Sequence, residues 1–282
     1  MAKLNGKRVL ITGGASGIGF KMAELFADAG CEVIISDLNQ DALDSAVDIL
    51  QAKGPAYSFL VDVSNREQVQ SMAEEVLNNI GKVDILINNA GIPHTGEIVE
   101  TSIDTWEKLM GVNFWGALYN IYAFLPSMIE AQDGHIVNVS SGQAFFRLPT
   151  WGPYATTKLA LGGLSELMDV ELDKFNIKVT TVYPFMINTG FYDEVEGDTW
   201  GSRLSMKLLP YYSMSPEQVA QIIFKAVKKQ KSVEMVSLVN NFGTLSRAVS
   251  PLSYLISKSS LLFLGKKPEE LKDEIDDKNA LN

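Results

Sequence analysis

The chain has 282 residues, is 46% hydrophobic and carries a formal charge of −10 at pH 7, with a pI near 4.8. That length can bury a sizeable core, and the acidic balance argues against a nucleic-acid partner, which would need a basic face. A single cysteine, Cys31, excludes an internal disulfide framework, and no Cys/His cluster accompanies His94 or His135, so no metal site is expected.

The first apolar run, Val9-Leu10-Ile11-Thr12, stops at the glycine-rich turn Gly13-Gly14-Ala15-Ser16-Gly17-Ile18-Gly19. A helical stripe of Ile18, Met22, Leu25 and Phe26 follows. A strand, a glycine turn and a helix in that order can hold a dinucleotide pyrophosphate. The glycines let the backbone come close, and the helix N-terminus supplies N–H groups and a positive dipole end. The run is short and ends in the turn, so no secretory signal is expected and a cytoplasmic location is the default. Cys31, entering the second strand, reads as a small buried residue.

Short apolar runs predict strands at Arg8–Thr12, Glu32–Ser36, Tyr57–Val61, Ile85–Asn88, Gly134–Ser140 and Lys178–Tyr183, with a last one near Glu234–Val239. Helical patterns fall between them near 18–29, 40–52, 66–80, 104–130 and 153–175, and another helix starts at Ser215-Pro216-Glu217. Strands with consecutive apolar residues, separated by helices, predict a parallel sheet buried on both faces. Right-handed crossovers make it doubly wound.

The stretch Tyr154-Ala155-Thr156-Thr157-Lys158 places a phenol and an ammonium four residues apart, on one helical face. An ammonium beside a phenol favours the phenolate, as proton exchange with an alcohol or ketone requires.

With T-G-x-x-x-G-x-G at Gly13, Gly17 and Gly19, Y-x-x-x-K at Tyr154 and Lys158, and Asn88-Asn89-Ala90-Gly91, Val112-Asn113-Phe114-Trp115-Gly116 and Val137-Asn138-Val139-Ser140-Ser141 between them, the chain resembles the short-chain dehydrogenase/reductase family over roughly residues 4–240. The resemblance implies a single Rossmann-like α/β domain over 1–240, with a substrate loop at 186–214 and a C-terminal extension at 241–282. It implies an oxidoreductase that interconverts a secondary alcohol and a ketone. Tyr154 would be the general acid/base and Lys158 would hold the nicotinamide ribose. Ser141, thirteen residues before Tyr154, would bind the substrate oxygen in preference to its neighbour Ser140. Asn113 would interrupt its helix and hold a relay water.

For the cofactor, the resemblance assigns Gly13, Ser16, Gly17, Ile18 and Gly19 to the pyrophosphate turn. Asp37, ending the second strand, would take the adenosine ribose hydroxyls and repel a 2′-phosphate. Ser16 and Leu38 stand where NADP-using members carry a basic residue, so NAD is favoured over NADP. Asp62 would meet the adenine amino group, or cap the helix near Arg66, and Val63 would pack near the ring. Asn89 and Gly91 would neighbour the cofactor ribose, and Ile187 and Thr189 would meet the nicotinamide half. Phe185 stands where the family usually has glycine after Pro184, which should reshape the substrate end.

Phe145, Phe146, Leu148, Trp151, Phe185 and the aromatic residues of 186–214 suggest a bulky apolar substrate such as a steroid or other lipophilic alcohol. Arg247, Pro251 and Lys258 make the segment after 240 a poor transmembrane span, while its stripe at 245, 248, 249, 252, 255 and 256 predicts docking on this protein or a neighbouring subunit, with a membrane surface as the less favoured choice because the tail from Glu269 to Asp277 is acidic. The resemblance implies that the helices at 104–130 and 153–175 pair copies into a homodimer or homotetramer. Two alternatives remain: an NADPH-dependent carbonyl reductase, and a dinucleotide-binding sensor or scaffold without turnover.

Overall fold

Successive strand residues point to opposite faces of a sheet, and both faces of β1 (Arg8–Thr12) are buried. Val9 and Ile11 join one apolar core and Leu10 joins another. A computed structural model describes residues 3–146, 148–185, 187, 204, 207, 213–237 and 259. The other strands are β2 (Glu32–Asp37), β3 (Ala56–Leu60), β4 (Ile85–Asn88), β5 (Gly134–Val139), β6 (Ile177–Tyr183) and β7 (Val233–Met235). All pair in parallel in the order β3-β2-β1-β4-β5-β6-β7, so the doubly wound sheet expected from the sequence is present.

One face is covered by α1 (Gly17–Asp28), α2 (Gln40–Gln51) and α8 (Pro216–Lys229) through Met22, Phe26, Leu43, Leu50, Val219 and Ile223. The other is covered by α3 (Arg66–Glu75), α5 (Gly116–Ala131) and α7 (Gly152–Leu172) through Val69, Met72, Ile121, Phe124, Met168 and Leu172. The start of α8 follows the expected chemistry: Ser215 Oγ accepts from Gln218 N–H, and Gln218 Oε1 accepts from Ser215 N–H.

Three expectations need correction. The helix predicted over 104–130 is two helices, α4 (Ile103–Met110) and α5, joined by a π-helical turn at Gly111–Trp115. Asn113, buried in that turn, takes bonds from other segments, and a tertiary demand of this kind is what widens a helix locally. The helix predicted to residue 80 leaves α geometry at Glu75 for a second π turn, Val76–Ile80, which closes at Gly81 with φ 116°. A short helix, α6 (Gln143–Phe146), was not expected, because four residues are too few for a periodic pattern. Some strand ends shift by one residue; among the described residues the last strand pairs over 233–235, and 238 and 239 of the predicted one lie outside them.

The substrate loop at 186–214, apart from 187, 204, 207, 213 and 214, lies outside the described residues, as does the extension at 241–282 apart from 259. Among the described residues, no helix is long and apolar enough to cross a membrane.

Candidate active site

The chain leaves β1 through a turn that only glycine accommodates at two points. Gly13 has φ 62° and Gly17 φ 52°. A Cβ on Gly13 would lie 3.0 Å from Ala90 Cα, and one on Gly19 would lie 1.9 Å from the Gly13 carbonyl oxygen. The turn is thus pressed against the chain leaving β4. Thr12 and Asn89 hold the two together. Thr12 Oγ1 accepts from the Asn89 and Ala90 N–H groups, and Asn89 Nδ2 donates to the Thr12 and Gly13 carbonyls at 3.0 Å each.

Ser16 occupies the N-cap of α1 without a side-chain cap bond, and no acidic residue sits in the first turn. The leading N–H groups of a 12-residue helix therefore keep their affinity for an anion.

Asp37 ends β2. Its Oδ2 accepts from Ala15 N–H in the turn, and its Oδ1 accepts from Leu38 and Asn39 N–H. Asp62 Oδ1 accepts from the Ser64 N–H and hydroxyl. It does not cap α3; that alternative is corrected, because Asn65 Oδ1 takes the Glu67 and Gln68 N–H groups. Buried Val63 packs against α5 so closely that a Cβ on Gly116 would lie 2.8 Å from Val63 Cγ2.

At the other end of the cleft, α7 carries Tyr154 and Lys158, both buried. Lys158 Nζ lies over the Tyr154 ring, 5.9 Å from its centroid, and donates to the Val139 carbonyl at 3.0 Å. Burial pushes the Lys158 ammonium down from 10.5 to about 8. Ser140 and Ser141, which the sequence separates only by spacing, differ in partner. Ser140 Oγ donates to the Lys158 carbonyl at 2.7 Å. Ser141 Oγ accepts from Gln143 N–H at 3.2 Å, leaving its own proton for an oxygen in the cavity.

Asn113 is almost wholly engaged by protein. Its Oδ1 accepts from Ile92 N–H, and its Nδ2 donates to the Ile92 carbonyl and Thr157 Oγ1. The carbonyl keeps one lone pair, which leaves room for the expected water contact. A Cβ on Gly91 would sit 3.1 Å from both Asn113 Oδ1 and Lys158 Nζ, so the chain passes between them where little side chain would fit.

One cavity of about 680 Å³ joins these ends. Of the sequence-predicted residues, Gly13, Ser16, Gly17, Ile18, Asp37, Asp62, Val63, Asn89, Gly91, Ser141, Tyr154, Lys158 and Ile187 lie on its wall; Gly19 and Asn113 stand behind it. Thr189 lies outside the described residues. The wall also includes Ser36, Ser64, Pro93 and Lys108, which sequence reasoning missed. Lys108 could have been found four residues before Val112, on the same helical side of the Val112-Asn113 motif. A dinucleotide fits these residues: the uncapped N–H groups at the glycine turn would hold its phosphates, and a carboxylate stands at the end of β2.

Neither histidine joins the set. His135 sits at the start of β5, the opposite end from Ser141; its Nε2 donates to Thr180 Oγ1, whose own proton goes to the Lys231 carbonyl. Burial lowers His135 to about 4. Cys31 donates to the Leu4 carbonyl, and burial pushes its thiol up to about 12, so it stays an inert core residue. No group of three metal-ligating side chains occurs among the described residues.

The family profile described as short chain dehydrogenase matches residues 7–200. A Mycobacterium tuberculosis protein named "Probable oxidoreductase EphD" is 35% identical over 241 residues, 81% of this chain and 40% of that protein. The chain thus spans about two-fifths of the length of these EphD relatives. Among solved structures, a short-chain dehydrogenase/reductase from Burkholderia phymatum in complex with NAD matches with a TM-score of 0.82 at 27% identity, covering 89% of this chain and 96% of that one. A 7α-hydroxysteroid dehydrogenase complexed with NADH and 7-oxo glycochenodeoxycholic acid matches at 0.76 and 26% identity, covering 83% and 94%. This chain belongs to the short-chain dehydrogenase family.

The buried ammonium has a consequence for stability. Lys158 is about 8 when folded, against 10.5 in the unfolded chain. Between those values the unfolded state binds the extra proton, so burial costs stability at low pH and the cost fades as pH rises. Relative to Lys158→Met, the wild type should gain about 3 kcal/mol from pH 8 to 10.5. Urea unfolding of both across that range measures it; parallel profiles would refute a buried ammonium.

Proposed function

We propose that this protein is an NAD-dependent oxidoreductase interconverting a secondary alcohol and a ketone, with a bulky apolar substrate of the steroid or lipophilic-alcohol kind. The observation that carries this reading is that Ser141, Tyr154 and Lys158 share one cavity with the glycine turn and Asp37. When bound, the nicotinamide dinucleotide supplies or accepts the hydride. Everything else falls to side chains of this chain.

Ser141, with its hydroxyl proton free, donates to the substrate oxygen and steadies charge there. Tyr154 takes the carbinol proton in oxidation and returns it to the carbonyl oxygen in reduction. Lys158 holds the nicotinamide ribose hydroxyls, and its charge favours the phenolate. Asn113 orders the Ile92 segment against α7 and offers one lone pair to a relay water. Ser16, Gly17 and Ile18 hold the pyrophosphate on the α1 N-terminus, and Asp62 and Val63 hold the adenine. Phe146 against Phe185, with ring centroids 4.7 Å apart, and Trp151 against Tyr154 at 5.7 Å support an apolar substrate end.

Asp37 supports NAD over NADP, since a carboxylate fixed on the turn by Ala15 N–H repels a 2′-phosphate. Tyr122, Leu167 and Val170, on α5 and α7, are 72%, 64% and 77% exposed. Apolar side chains that open on two adjacent helices support pairing of copies through them.

Tyr154→Phe should lower turnover at least ~100-fold while NADH still quenches tryptophan fluorescence; near-normal turnover would defeat the acid/base assignment. Asp37→Ala should weaken NAD and admit NADP in paired titrations, and an unchanged preference would show that Asp37 is not the selector. Sedimentation should find dimers or tetramers that Leu167→Glu/Val170→Glu splits; a monomeric wild type removes the pairing.

A further inference from the structure

Two cations stand on the wall of the cavity, Lys158 and Lys108. Lys158 is buried at the reacting end and donates to the Val139 carbonyl. Lys108 is placed differently. It projects from α4, is exposed, and makes no ion pair or side-chain hydrogen bond among the described residues. Its ammonium rides on a flexible four-carbon stem, and the space that stem sweeps includes the open side of the cavity.

The position of Lys108 along the cavity follows from its helical neighbours. Gly111 rests on Ser64, where a Cβ would lie 3.4 Å from Ser64 Cβ. Asn113 is bonded to the Ile92 N–H and carbonyl. Val112, between them, lies on the cavity wall, and Lys108 stands one turn before it on the same side. That side of the helix therefore faces the gap between the Asp62–Ser64 loop and the segment after β4. The loop borders the adenine end. The segment leads past Gly91, where a Cβ would lie 3.1 Å from Lys158 Nζ, to the nicotinamide end. What crosses the gap in a bound dinucleotide is the ribose and pyrophosphate between its two bases.

That stretch carries the negative charge of the ligand. The glycine turn meets it with backbone N–H groups alone, since residues 13–19 include no lysine or arginine. A formal charge of −10, with Asp37 and Asp62 on the same wall, repels an approaching dianion. A cation facing the middle of the cavity offsets that repulsion where the phosphates lie.

We propose that Lys108 is a cofactor-binding residue whose ammonium folds over the bound dinucleotide and pairs with its pyrophosphate oxygens, opposite the α1 N-terminus. The phosphates are then held between backbone N–H groups on one side and an ammonium on the other. The inference rests on the dinucleotide reading above.

Calorimetric titration of the full chain with adenosine, ADP and 2′,5′-ADP separates charge from shape without turnover. Lys108→Met keeps an unbranched stem and a good helix former but loses the ammonium. It should bind ADP about fivefold more weakly than wild type, the scale of an ion pair open to solvent, and adenosine equally well. Lys108→Arg should restore the ADP affinity. Added salt should weaken ADP binding more steeply in wild type than in Lys108→Met. Equal ADP affinities in wild type and Lys108→Met, or an equal loss for adenosine and ADP, would overturn the pairing. A loss confined to 2′,5′-ADP would assign the ammonium to a ribose phosphate and overturn it as well. In each of those cases ADP still binds, so the dinucleotide reading stands. A wild type that binds neither ADP nor NADH would defeat that reading and the pairing together.

Discussion

The chains leaving β1 and β4 are tied together at the point where the sheet's winding reverses, and the cavity depends on that tie. From β1 the order runs outward through β2 and β3 on one side and through β4 to β7 on the other. The connections that leave β1 and β4 pass over opposite faces, through α1 on one and α5 on the other, so a crevice opens between the two strand ends. Thr12 and Gly13 take four hydrogen bonds from Asn89 and Ala90 across it. They fix the glycine turn against Ala90, so the α1 N-terminus points into the crevice and Asp37 can grip the turn through Ala15.

The same crevice carries a cost at its far end. An ammonium as buried as that of Lys158 loses its hydration, and one carbonyl, that of Val139, compensates only part of it. Ser140 anchors the Lys158 backbone, and the segment after β4 is held by Asn113 in its π turn. Strain of this kind is expected where a side chain is kept for binding rather than for stability.

Much of this arrangement could be read from the sequence. The strands and their alternation with helices followed from apolar runs bounded by glycine and polar turns, because the central strands are buried on both faces and their composition shows it. The boundaries were less legible where a distant partner intervenes. The 104–130 pattern carries no sign of a π turn, because its cause is the bonding of Asn113 to Ile92 and Thr157. The α3 cap was assigned to Asp62 as one of two options. Asn65 took it because only its side chain stands one residue before the first helical turn, while Asp62 turns to Ser64.

By itself the sequence determined what depends on nearest neighbours along the chain. A positive φ needs glycine at Gly13 and Gly17, four-residue spacing puts Tyr154 and Lys158 on one helical face, and a carboxylate ends the second strand. Tertiary structure decided what depends on segments far apart in the chain. It gave Ser140 to a backbone carbonyl and Ser141 to the cavity, buried the Lys158 ammonium, and set Asn113 as a clamp between the segment after β4 and α7. The physical reason is that burial and hydrogen-bond partnership are properties of the packed neighbourhood, and that neighbourhood forms only when strands 50 or more residues apart, such as Asn88 and Asn138, come side by side.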